Sequence, residues 1–73
     1  MTSNVFQKAA EIHEHYTTTP QLAKLAPRVK NAVSCYEDGI LNLNEISKIL
    51  ALFEQYGEGF ITLDELDALL SKF

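Results

Sequence analysis

The chain has 73 residues, of which 47% are hydrophobic, and a formal net charge of −4, so it is long enough for one small domain and too apolar for a disordered tail. Such a short chain leaves little room for both a core and an enclosed active site, and no apolar run approaches a membrane span of roughly 20 residues. The single cysteine, Cys35, excludes an internal disulfide, and the first residues lack a secretory leader pattern, so we expect a cytoplasmic protein. Residues 1–73 are predicted to form one domain.

Charge is divided unevenly between the two halves of the chain. Residues 1–33 carry a net charge of +2, whereas residues 34–73 carry −6, because eight acids there face only Lys48 and Lys72. The acidic half should repel a phosphate backbone and suits a basic protein surface or a cation.

The first predicted helix follows Asn4, which we expect to cap it together with Gln7. Its apolar stripe at helical spacing consists of Val5, Phe6, Ala9, Ile12, His13 and Tyr16. The segment "TTTP" ends this helix, and Thr19 and Pro20 suit the N-cap and first position of the next helix.

The second predicted helix runs from Pro20 to about Asp38. Its stripe consists of Leu22, Leu25, Val29, Val33 and Tyr36. Because Pro27 removes a backbone hydrogen bond inside this stretch, we expect a kink or a break near Ala26, with both pieces facing the same core.

The third predicted helix starts at Asn42 and reaches about Tyr56. Apolar residues fill half of its circumference, namely Leu43, Ile46, Ile49, Leu50, Leu52, Phe53 and Tyr56, so we expect it to be the central helix. The last helix runs from Thr62 to about Lys72 and carries Leu63, Leu66, Leu69, Leu70 and Phe73. The predicted fold class is all-α, a bundle of about four short helices.

The segments "YEDGILNLNEI" (36–46) and "YGEGFITLDEL" (56–66) repeat one pattern 20 residues apart. A left-handed Gly39, and Gly59 or Gly57, would end the preceding helix. Capping boxes would then start the next helix, and an apolar residue before each cap would pack on the helix that follows. The boxes are Asn42 with Glu45 and Thr62 with Glu65, and the apolar pairs are Leu41 with Ile46 and Ile61 with Leu66.

The second half of each segment resembles the calcium loop of an EF-hand, and also a dockerin repeat. The resemblance implies calcium ligands at Asp38, Asn42, Glu45, Glu54, Glu58 and Glu65. The front halves depart from the family, because Tyr36 and Tyr56 stand at the third loop position, and the 20-residue spacing makes one helix serve both loops. We therefore predict helix-capping turns without a metal or other cofactor, and keep a weakly calcium-binding, degenerate EF-hand as an alternative.

Residue types for catalysis are sparse. His13 and His15 are two residues apart and would point about 200° away from each other on a helix, so they cannot grip one metal from one face. The chain has no glycine-rich phosphate-binding loop, and we predict that it is not an enzyme.

A helix-turn-helix reading is weak, because the last helix would offer Asp64, Glu65 and Asp67 to DNA. A nucleic-acid-linked transcription regulator, using Lys24, Arg28 and Lys30, is the remaining alternative.

The combined features predict a non-enzymatic, acidic protein-binding module that acts as an adaptor, inhibitor or regulator of a larger protein. By analogy of size and charge alone, small regulators encoded by phages or mobile elements share this profile. Candidate partner-binding residues on the last helix are Asp64, Asp67, Leu69, Leu70 and Phe73. We expect a protein partner and no membrane contact; self-association through Leu69, Leu70 and Phe73, or burial of these three residues in the core, stays open.

Overall fold

The computed structural model describes residues 4–73, which form four α-helices and one short 3-10 helix. The α-helices are α1 (Val5–Thr18), α2 (Ala26–Glu37), α3 (Leu43–Gly57) and α4 (Leu63–Leu70), and the 3-10 helix is Ala23–Leu25. No strand occurs within residues 4–73. The prediction of an all-α bundle with four short helices is confirmed.

Helix α1 begins where the sequence predicts, but its cap is different. Asn4 occupies the N-cap position without a side-chain hydrogen bond. Its backbone has φ −83° and ψ 6°, away from the extended conformation that directs a capping side chain toward the first turn. The predicted cap by Asn4 and Gln7 is therefore wrong, although the helix start is right.

The connection to α2 also differs from the prediction. Thr19 ends α1 in an extended conformation, and its carbonyl accepts the N–H of Leu22 at 2.9 Å, which closes a turn. Helix α2 begins only at Ala26 with Pro27 in its first turn, where a missing N–H costs no helical hydrogen bond. The expected break near Ala26 is confirmed, whereas the start at Pro20 with Thr19 as N-cap is wrong.

The core forms around α3, which packs against α1, α2 and α4 and is the predicted central helix. Its members are Val5, Ala9, Ile12, Tyr16, Leu22, Leu25, Ala26, Val29, Ile46, Ile49, Leu50, Phe53 and Leu66. Leu22 and Leu25 precede the break while Ala26 and Val29 follow it, so both pieces face one core as expected. Leu43 and Leu63 were expected in the apolar stripes but are 51% and 41% exposed, because each lies at the first position of its helix, beyond the core.

Helix α2 ends in a Schellman motif, in which a left-handed glycine satisfies the last carbonyls of the helix. Gly39 has φ +81° and donates its N–H to the Tyr36 carbonyl at 3.2 Å, while Ile40 donates to the Cys35 carbonyl at 2.9 Å. The end of α3 repeats this arrangement around Gly59, with φ +85° and with bonds from Gly59 to Tyr56 at 3.1 Å and from Phe60 to Gln55 at 2.9 Å. Gly57 is still helical, so Gly59 rather than Gly57 is the left-handed glycine that ends α3.

Both predicted capping boxes are present. The Asn42 side chain accepts the Glu45 N–H at 2.8 Å, and the Glu45 carboxylate accepts the Asn42 N–H at 2.9 Å. Thr62 and Glu65 form the same pair of bonds at 3.1 and 2.9 Å. Each box satisfies backbone N–H groups that the first turn of a helix leaves without partners.

Candidate interaction surface

The two repeated turns lie at opposite ends of α3, which is 15 residues long. At 1.5 Å per residue the turns are separated by about 22 Å along the helix axis. They are therefore two separate features of the surface rather than one paired loop site.

Most of the candidate calcium ligands have other roles in the described structure. Asp38 and Glu58 are the C-cap residues of α2 and α3, and both are exposed. Asn42, Glu45 and Glu65 belong to the capping boxes.

The sixth candidate, Glu54, accepts an ion pair from Lys8 of α1 at 3.2 Å. Within residues 4–73, no group of three or more histidine, cysteine, aspartate or glutamate side chains is placed to hold a metal ion. Calcium binding by a degenerate EF-hand stays the untested alternative to the predicted metal-free turns.

The repeat tyrosines contact α1 instead of a ligand site. Tyr36 packs against Phe6 with ring centroids 5.9 Å apart, and Tyr56 packs against Tyr16 at 6.5 Å. Both tyrosines are partly buried against the core. An aromatic residue at this point of each repeat thus joins the end of a helix to α1.

Each turn exposes a pair of large apolar side chains at equivalent positions. Ile40 and Leu43 are 70% and 51% exposed at the first turn, and Phe60 and Leu63 are 74% and 41% exposed at the second. A Schellman motif commonly buries the apolar residue that follows its glycine, so the exposure of Ile40 and Phe60 is not a requirement of the turn. We call Ile40, Leu43, Phe60 and Leu63 the turn apolar residues.

Ile40 and Phe60 are not among the candidate binding residues predicted from the sequence. A signal was present, because each directly precedes a residue expected to be buried, Leu41 or Ile61, and both of these are indeed partly buried. Neighbouring residues in a non-helical segment tend to point to different sides, so burial of the second favours exposure of the first.

The predicted partner-binding residues of α4 are divided between different environments. Leu69 and Leu70 are half-buried, whereas Asp64 is exposed and Phe73 is 44% exposed. Asp67 accepts an ion pair from Arg28 of α2 at 2.7 Å. The structure does not bring these five residues together as one exposed patch, and their role in binding stays a prediction.

The remaining chemically reactive side chains differ in burial. His13 is half-buried and His15 is exposed, and a ring nitrogen of His15 lies 3.3 Å from the Gly57 carbonyl. Burial raises the pKa of Tyr16 well above its usual range, and the nearby Tyr56 adds to this shift. Cys35 is half-buried, not fully buried as a small core residue would be.

The three cations proposed for nucleic-acid binding, Lys24, Arg28 and Lys30, are all exposed. The guanidinium of Arg28 is engaged with Asp67, which lowers the positive charge available to a phosphate backbone. Each helix within residues 4–73 is too short or too polar to cross a bilayer.

Comparison of the chain with protein-family models, with curated proteins and with solved structures finds no match.

Proposed function

We propose that this chain is a non-enzymatic protein-binding module that acts as an adaptor, inhibitor or regulator of a larger protein. The observation that carries the proposal is the paired exposure of the turn apolar residues at both ends of α3. Exposed apolar side chains favour association with another protein, because association removes their surface from water.

The position of these residues supports the proposal further. Each turn is closed by two backbone hydrogen bonds, one donated by the glycine and one by Ile40 or Phe60 itself, so the backbone that carries these side chains is fixed. Rigid presentation lowers the entropy lost when a partner binds. The acidic charge of residues 34–73 adds steering toward a partner with a basic surface.

Affinity capture from the source cells tests this function. The tagged wild-type protein is compared with the variant Ile40→Ser/Phe60→Ser and with the control Gln21→Ser/Asn31→Ser, whose changes lie at exposed polar positions outside the two repeated turns. All four substitutions affect exposed side chains, so each protein should remain folded, which circular dichroism verifies.

We expect one dominant, stoichiometric protein on the wild-type and control resins and at least a tenfold lower yield on the Ile40→Ser/Phe60→Ser resin, as for loss of anchor residues worth about 1.4 kcal/mol in total. Failure of the wild-type resin to enrich any protein above empty resin would contradict the proposed function. Equal capture by all three proteins would show that the turn apolar residues are not part of the binding site.

A further inference from the structure

The surface between α3 and the end of α4 contains an apolar groove of about 290 Å³. It is lined by Lys48, Ala51, Leu52, Leu69, Lys72 and Phe73. Leu52 and Leu69 are half-buried, and Phe73 is 44% exposed, so the apolar lining is only partly covered by the fold. The groove is distinct from the turn apolar residues.

The two lysines in the groove are the only cations among residues 34–73. The ion pairs found within residues 4–73 join Lys8 to Glu54 and Arg28 to Asp67, so neither Lys48 nor Lys72 forms an ion pair with an acid of the described chain. Both positively charged side chains of the acidic half thus lie at one apolar groove.

We propose that this groove binds an acidic amphipathic helix of the partner protein. Large apolar side chains of the partner helix would occupy the lining of Leu52, Leu69 and Phe73, and its carboxylates would pair with Lys48 and Lys72. Helices commonly bind grooves in this way, with apolar anchors on one face and charges at the edges. The inference rests on the proposed protein-binding function and adds the chemistry of one contact: the acids of residues 34–73 would face a basic surface of the partner, whereas the groove with its two lysines would take an acidic helix.

The size and charge of the groove favour this occupant over other ligands. Its volume of about 290 Å³ is at the lower bound of the roughly 300–1,000 Å³ of small-molecule pockets, so it suits a few side chains better than a cofactor. A nucleic acid or an anionic bilayer is a large polyanionic surface and would also be repelled by the eight acids of residues 34–73 outside the groove lining. A peptide helix brings only a few carboxylates, which it can place directly at the lysines.

A synthetic peptide titration followed by amide NMR tests the inference. The probe is an amphipathic peptide of about 16 residues, with Leu and Phe along one face and Glu on both sides of that face. The matched probe replaces each Glu by Gln. The protein is used as wild type, as Lys48→Glu/Lys72→Glu, and as the control Lys24→Glu/Lys30→Glu, which makes the same charge change at exposed sites outside the groove.

We expect the acidic peptide to shift the amides of Ala51, Leu52 and Leu69 in the wild type and the control. Affinity should fall about tenfold for the Gln peptide and for Lys48→Glu/Lys72→Glu, as expected from the loss of two exposed ion pairs. Equal binding of both peptides, equal binding by both variants, or shifts confined to other residues would overturn the inference.

Two further results would also overturn it in favour of another occupant. Shifts of the groove amides that depend on protein concentration without peptide would assign the groove to a second copy of the chain. The same shifts produced by anionic vesicles, but not by the peptide, would assign it to a membrane surface. Neither result affects the capture experiment, which tests the proposed function through Ile40 and Phe60.

Discussion

Tyr16 joins α1 to α3 through a single, fully buried ring. Its hydroxyl donates a hydrogen bond to the Phe53 carbonyl, and its ring packs edge-to-face on Phe53 with centroids 6.0 Å apart. On the other side it approaches Gly57 so closely that a Cβ at that position would lie 3.2 Å from the ring. The tyrosine is therefore held in place by both polar and packing contacts.

The substitution Tyr16→Phe should lower the free energy of unfolding by about 1 kcal/mol, because it keeps the ring and removes the buried hydroxyl that donates to the Phe53 carbonyl. Urea unfolding at neutral pH measures this change. Tyr36→Phe is the matched control, since the Tyr36 hydroxyl makes no hydrogen bond within residues 4–73. We expect the control to stay within about 0.5 kcal/mol of wild type, and equal losses in both variants would contradict the role of the hydroxyl.

The raised pKa of Tyr16 predicts a loss of stability in alkali. Below a pH of about 10 both the folded and the unfolded chain keep this proton. Above it the unfolded chain releases the proton while burial keeps it on the folded chain, so stability falls by up to about 1.4 kcal/mol per pH unit.

Because Tyr16→Phe lacks this group, the stability difference between wild type and variant should shrink to near zero by a pH of about 11. Urea unfolding of both proteins between pH 8 and 11 measures the difference, and other tyrosines and lysines contribute equally to both. A difference that stays constant over this range would contradict the prediction.

For individual side chains, the sequence predicted some properties and not others. It predicted that Tyr36 and Tyr56 depart from a calcium-binding loop, since an aromatic ring offers no carboxylate. It did not predict their contacts with Phe6 and Tyr16, because these depend on how α1 lies across the ends of α2 and α3. The exposure of Phe60, by contrast, had a local signal, because Phe60 directly precedes Ile61, which packs against the core.

At the level of elements, the two capping boxes should contribute equally and independently. Asn42→Ala and Thr62→Ala are each expected to cost about 1 kcal/mol, because each removes a side-chain acceptor from the first turn of a helix. The double variant should lose about 2 kcal/mol, since the boxes lie at opposite ends of α3 and share no partner.

Thermal and urea unfolding measure these losses, with Asn44→Ala as the control. Asn44 is exposed within α3, and alanine is the better helix former, so this change should be neutral or slightly stabilising. If Asn44→Ala were as destabilising as Asn42→Ala, the cost would not come from the cap.

The boxes were predictable because all their partners lie within four residues of sequence. The start of α2 was not, because Thr19 with Pro20 marked one helix start and Pro27 marked a second position, near Ala26. The chain uses the second, which leaves Leu22 and Leu25 in a separate short segment that still reaches the core. Burial of that segment is a tertiary effect that local rules for caps and prolines do not contain.

At the level of the whole molecule, α3 packs against each of the other three α-helices. Helix α4 packs on α3 through Leu66, which is fully buried, and α1 packs on it through Tyr16. A domain of this length has a stability of roughly 4–11 kcal/mol, so loss of one central contact removes a large share. We therefore expect substitutions in the core to lower stability, and substitutions at the proposed binding residues to weaken capture of the partner at nearly unchanged stability.

Two phenylalanines seven residues apart test this separation. Phe53 is 2% exposed at the centre of the core, so Phe53→Ala should cost about 3–5 kcal/mol and abolish or strongly shift the cooperative unfolding transition. Phe60 is 74% exposed, so Phe60→Ala should stay within about 0.5 kcal/mol of wild type while weakening capture of the partner. Far-UV circular dichroism with urea unfolding measures the first property and affinity capture the second. Unfolding of Phe60→Ala would show that this side chain serves the core, and its exposure would then no longer support a binding role.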